Sequence, residues 1–158
     1  MLLRFIYAVV VFLTLSLNSA ITVHAQTPAI NLAQRKEEIL KYVNLHRTSM
    51  GLKPLALNET IAQAAEKHSK NMATKVIPFS HDGFDERMAR LGKQLKQVYG
   101  WSENVAYSEK PAKEVVAMWL NSPGHKKNIE GNYNLTGIGI VRGANGELYY
   151  TQIFLRKQ

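Results

Sequence analysis

The sequence predicts an α+β fold, with helices stacked on a small antiparallel sheet, and two observations carry that reading. Apolar residues recur at helical spacing from Leu32 to about Ser122, and two β-rich runs, LTGIGIV and ELYYTQIFL, close the chain. The runs are joined by Arg142-Gly143-Ala144-Asn145-Gly146, whose Asn-Gly pair suits the left-handed backbone of a hairpin turn. No internal repeat and no low-complexity segment interrupts this order.

Each element has its own signal. Ile39, Leu40 and Val43, with Leu32 and Leu45 as weaker members, follow a helical period that Gly51 and Pro54 stop, giving a first helix over 32–49. Asn58 is a natural cap for the second, and Glu59 in its first turn suits the helix dipole. Ile61, Ala65, His68 and Met72 share one face of that helix, so His68 points at the core. The Asp82-Gly83 pair marks a turn, after which Phe84, Met88 and Leu91 form the stripe of a short helix that Gly92 is placed to end. Val98 to Ala106 reads as a strand or extended segment. Pro111 opens a helix whose apolar face is Val115, Val116, Trp119 and Leu120, ending at Ser122-Pro123-Gly124. The hairpin carries few guards at its edge, which leaves dimerisation open.

The N-terminus reads differently from the rest. Arg4 precedes thirteen uncharged residues, Phe5 to Leu17, too few for the roughly 20 of a membrane span. Val23-His24-Ala25 follows, so residues 1–25 read as a signal peptide cleaved after Ala25, residues 26–31 as a short tether, and 32–158 as one domain. Removing the first segment leaves 19 Lys+Arg against 12 Asp+Glu, a net charge near +7. That balance favours anionic partners outside the cytoplasm: a glycan, a wall polymer or a lipid. The lysines are scattered, with no dense run interleaved with aromatics, so no nucleic acid is expected. The chain has no cysteine, which for a secreted or periplasmic protein fits a bacterial envelope better than the disulfide-dense domains of animal secretions.

Without cysteine, histidine and carboxylate carry most of the available acid, base and metal chemistry. His24 leaves with the signal segment. His46 reads as exposed and His68 as a hydrogen-bonded core residue. His81 and His125 both lie at breaks between elements, where scaffolds present functional groups. Glu103, in WSENVAY, sits among aromatic and apolar neighbours, and the sequence leaves open whether it is a solvent-facing strand residue or a functional one. Two imidazoles and a carboxylate suit a zinc-like or other divalent cation with an open position, or an acid–base pair. The spacing, 22 residues each way, does not show that the three meet. No G-x-S-x-G, H-E-x-x-H or glycine-rich phosphate loop offers competing chemistry.

Together FSHDGF, SENVAY, AMWLNSPGHKKNI and the closing GIGIV and YYTQIF resemble the CAP superfamily (cysteine-rich secretory proteins, antigen 5, pathogenesis-related proteins) in its cysteine-free bacterial form. The resemblance runs from about Ile39 to Phe154. It implies a three-layer α-β-α sandwich with a small, mainly antiparallel sheet, and a surface cleft joining His81, Glu103 and His125. It also implies that His81 and His125 can hold zinc. Many members carry a second glutamate shortly after the tryptophan that Trp119 matches. This chain has Asn121-Ser122-Pro123 there, so two His and two Glu become three residues, with Ser122 as a hydroxyl for the cleft or a cap for the next helix. The family has no agreed reaction, so the resemblance leaves open whether this chain is an enzyme.

Overall fold

The computed structural model describes residues 30–158; the expected signal peptide and nearly all of the expected tether lie outside the described residues. Helix α1 (Leu32–Ser49) starts where Asn31 Oδ1 accepts hydrogen bonds from the backbone N–H groups of Ala33 and Gln34, at 3.0 and 3.2 Å. Its buried stripe is Ile39, Val43 and Arg47, four residues apart each time, and Gly51 leaves it with φ +73°. A two-residue strand β1 (Ala56–Leu57) follows. Helix α2 (Glu59–Ala73) is capped by Asn58, whose side chain accepts from Ile61 N–H at 3.1 Å.

Helix α3 (Phe84–Leu95) runs beyond Gly92, against the expectation that this glycine ends it. The reason is packing: Gly92 lies under the Trp101 ring, and Leu95 in the last turn packs on buried core, so the extra turn gains apolar contact. The ambiguous stretch is one strand, β2 (Val98–Tyr107), irregular between Val98 and Gly100. Helix α4 (Ala112–Leu120) and the short α5 (Pro123–Ile129) precede β3 (Leu135–Arg142) and β4 (Leu148–Lys157).

The sheet order is β1-β3-β4-β2, with β1 parallel to β3 and the other pairs antiparallel. The hairpin β3–β4 therefore lies between β1 and β2, but β1 pairs only Leu135 and Thr136, so the outer side of β3 from Gly137 to Arg142 has no strand partner among the described residues. At the other edge, β2, two carbonyls are covered: Val105 O accepts from Trp119 Nε1 at 3.2 Å and Glu103 O from Asn128 Nδ2 at 3.1 Å. Alternation along the strands buries Ile138, Ile140, Tyr150 and Phe154 with α1 and α4, and Ile153 and Leu155 with α2 and α3. The outcome is three layers, helix on sheet on helix.

The glycines of LTGIGIV explain how close the second layer comes. A Cβ on Gly137 would sit 2.2 Å from Ala62 N, and one on Gly139 2.2 Å from Glu66 N, so the backbone of α2 lies directly on β3. Ser69 ties the contact, its Oγ lying 2.8 Å from Thr151 Oγ1 and 3.1 Å from Gly139 O. This places one face of α2, including His68, over the sheet beside β2.

Arg47 holds the opposite layer. It is buried with carbonyl partners alone: Nε donates to Lys53 O, Nη1 to Ile129 O and Gly131 O, and Nη2 to Tyr133 O, at 2.6 to 3.1 Å. Burial pushes its pKa down from the ordinary arginine value. Beside it His46, read from sequence as exposed, is part-buried against Glu130 at 2.8 Å. Replacing Arg47 by methionine orphans these carbonyls and is expected to lower the unfolding free energy by on the order of 3 kcal/mol in urea titrations. Arg47→Lys should recover less than half of that, because an ammonium lacks the planar fork.

Candidate functional site

Glu103 lies on the face of β2 that looks toward α2 and α3, and its side chain is 1 % exposed. A buried carboxylate costs several kcal/mol unless it is paired and hydrogen-bonded. Arg87 of α3, itself buried, supplies the pairing: Nε donates to Oε2 at 2.9 Å and Nη2 to Oε1 at 2.8 Å. Its Nη1 reaches Asp82 O and Gly83 O, each 3.2 Å away, which fixes the turn that carries His81. The solvent-facing reading of Glu103 is thus replaced by a buried, charge-paired one.

His81 is 49 % exposed and its Nδ1 lies 3.0 Å from Glu103 Oε1. A carboxylate that is ion-paired to arginine accepts, so Nδ1 carries the proton and Nε2 is the nitrogen left for another partner. His68, on α2, is buried, donates from Nε2 to Ser80 O at 3.0 Å, and lies 3.6 Å from the same Oε1. The sequence reading of a hydrogen-bonded core histidine holds, and the residue also walls the Glu103 carboxylate. Two imidazoles and a guanidinium therefore surround one negative charge.

His125 reaches this place from the other layer. Asn104, the next residue along β2, donates from Nδ2 to His125 O at 3.1 Å, and Asn128 Nδ2 lies 2.8 Å from Asn104 Oδ1 and 3.1 Å from Glu103 O. These amides dock α5 on the strand that carries Glu103. The His125 imidazole is within electrostatic range of His81: its pKa is lowered first by burial and then by the His81 charge. Among the described residues no hydrogen bond joins His125 to His81 or to Glu103. Ser122 stands at the N-cap position of α5, accepting with its backbone oxygen from Lys126 N–H at 2.8 Å, while its hydroxyl makes no capping bond.

The histidine shifts have a consequence for stability. Burial is the largest cause of the lowered His68 pKa, with Glu103 opposing it and Arg87 adding to it. A histidine whose folded pKa lies below its unfolded value, about 6.5, binds fewer protons when folded, so its contribution is complete above pH 6.5 and is lost as pH falls through the folded values. Urea midpoints are expected to drop between pH 7.5 and pH 5, and His68→Gln should flatten that dependence.

The donors fit a catalytic zinc centre poorly. Such a centre takes three protein ligands and a water, and among the described residues no group of three or more His, Cys, Asp or Glu is arranged to hold a metal. Glu103 is committed to Arg87, which leaves the imidazoles of His81 and His125 as the donors a divalent cation would find. Arg87, Asn104 and Asn128 escaped the sequence reading. The signal for Arg87 was present, because it stands three residues after Phe84 and four before Leu91, on the apolar stripe, where a cation requires a buried partner. Beside the site an exposed aromatic ledge runs from Phe79, edge-on to Tyr107 at 4.9 Å, to Tyr149, stacked on Tyr107 at 6.1 Å.

Residues 40–154 match the family model described as CAP, the cysteine-rich secretory protein family. The chain belongs to that family. It is 33% identical over 129 residues to the YkwD protein of Bacillus subtilis, covering 77% of this chain and 47% of that one, so it spans about half the length of that relative. Among solved structures it is similar to an extracellular protein containing a SCP domain from Bacillus anthracis, at 30% identity and a TM-score of 0.67, covering 79% of this chain and 41% of the other. An outer surface protein of Borrelia burgdorferi, at 18% identity and a TM-score of 0.70, covers 82% of this chain and 97% of its own, a likeness of fold. Among the described residues of this CAP domain no helix is long and apolar enough to cross a membrane.

Proposed function

We propose that this chain is an exported CAP-domain binding module whose His81–Glu103–His125 surface takes an anionic group of an envelope or extracellular glycan, wall polymer or lipid. The observation that carries the reading is the pairing of both Glu103 oxygens with Arg87. A carboxylate held this way orients His81 and is not available to take a proton from water. A hydrolase that used His81 and His125 on a divalent cation and Glu103 as general base would first have to break that pair.

Other features support the same reading. Residues 1–25 have the pattern of an export signal, and a chain with 20 Lys+Arg against 12 Asp+Glu attracts polyanions over distance. The imidazoles of His81 and His125 carry N–H donors that an anion can use, and the ledge of Phe79 and Tyr107 offers exposed ring faces beside them. A test uses an oligomer of glycerol phosphate, whose phosphodiesters stay ionised through the neutral range. The expected result is saturable binding to the full chain that weakens at least about tenfold, ~1.4 kcal/mol, in His81→Ala/His125→Ala. Turnover of a peptide or glycan that disappears in His125→Ala overturns the reading.

A further inference from the structure

Next to the His81–His125 surface, α2 and α3 enclose a groove between them. Its volume is about 870 Å³, and its lining includes Arg87 and His68, the residues that pair with and wall the Glu103 carboxylate. Its volume lies within the range of ordinary ligand pockets. We propose that this groove is a second binding site and that it takes a neutral, hydroxyl-rich oligosaccharide.

Charge argues for a neutral occupant. Lys67 and Arg90 on the walls are matched by Asp82 and Glu86, and Arg87 is matched by Glu103. On a chain of net charge +8 the groove is therefore balanced, and a polyanion gains little there. Hydrogen-bonding chemistry selects the hydroxyls. The lining carries the side-chain amides of Gln63, Asn71 and Gln94 and the hydroxyl of Thr60, each of which both donates and accepts. A sugar hydroxyl also does both, so each ring meets partners whichever way its hydroxyls turn.

The remaining surface argues against a lipid or a peptide. Its apolar side chains, Ala64, Ile77 and Leu91, with the stems of the long polar residues, suit the faces of sugar rings, whereas an acyl chain would leave the amides and charges beside it without partners. An extended peptide would seek a sheet edge for its backbone, and here both walls are helices, whose backbone groups are already bonded.

The test titrates the full chain with cellotetraose and with chitotetraose, following the side-chain amide signals of Gln63, Asn71 and Gln94 by NMR. Expected is saturable movement of those signals with at least one sugar, at an affinity that changes less than about twofold between roughly 0.05 and 0.5 M salt, across which the screening length shrinks about threefold. Gln63→Ala/Gln94→Ala should abolish the movement of the Asn71 signal that remains in that variant, while His81→Ala/His125→Ala leaves all three intact. No movement with either sugar, movement that the Gln63→Ala/Gln94→Ala variant retains, or stronger displacement by an oligoalanine peptide overturns the proposal. The glycerol phosphate experiment reads the other surface, so either site can fail without the other.

Discussion

Gly139→Val is expected to lower the unfolding free energy by at least about 3 kcal/mol, one of the largest single-residue losses available in this chain. Its Cβ would meet Glu66 N at 2.2 Å and Ala65 C at 2.3 Å, and both are helix backbone that no rotamer change can move aside. Helix α2 must then lift from β3, opening the layer that contains Ile61, Ala65 and Ile153 and shifting His68 away from Glu103. Gly124→Ala is the control, because a Cβ at that helical position meets nothing within 4 Å. Its change should stay within about 1 kcal/mol, toward greater stability. Equal losses for the two variants in urea titration would contradict the close approach.

Arg87→Met should cost about 3 to 5 kcal/mol at pH 7.5, because it leaves the Glu103 carboxylate buried with no full countercharge. The pH dependence identifies the cause. In the variant the lone buried charge is relieved by taking up a proton, so the penalty relative to wild type shrinks as pH falls. Arg87→Met/Glu103→Leu should regain most of the lost stability, since an apolar pair of similar volume has no charge to desolvate. A penalty that is the same at pH 7.5 and pH 5.5 and persists in the double variant would mean that Arg87 acts through packing alone.

The long helices were legible in the sequence because their apolar residues recur with a period that only a helix satisfies, as with Ile61, Ala65, His68 and Met72. The hairpin was legible through Asn145-Gly146, and Gly146 does take φ +87°. Short elements carried less: β1, two residues long, left no periodicity signal, and α5, seven residues, was legible only through its start at Ser122-Pro123. Gly92 misled because a glycine that permits close packing looks the same in sequence as one that ends a helix. For the site, His81 and Glu103 were legible as unusual placements, but their contact depends on Arg87 arriving from another element. The amides of Asn104 and Asn128, which seat His125, carry no sequence pattern that separates them from surface asparagines.

The central claim, that His81 and His125 receive an anion and that Glu103 holds His81 without serving as a base, is tested most directly by the pH dependence of binding to the glycerol phosphate oligomer. Because burial holds the His125 pKa below the ordinary imidazole value, the account predicts that affinity rises as pH is lowered from 7.5 to below about 6.5, where that imidazole gains the proton an anion needs, and that His81→Ala/His125→Ala abolishes the rise. A cation-dependent site behaves in the opposite sense, because metal needs neutral imidazole and loses affinity on acidification. Binding that requires added zinc and weakens as pH falls would contradict the account.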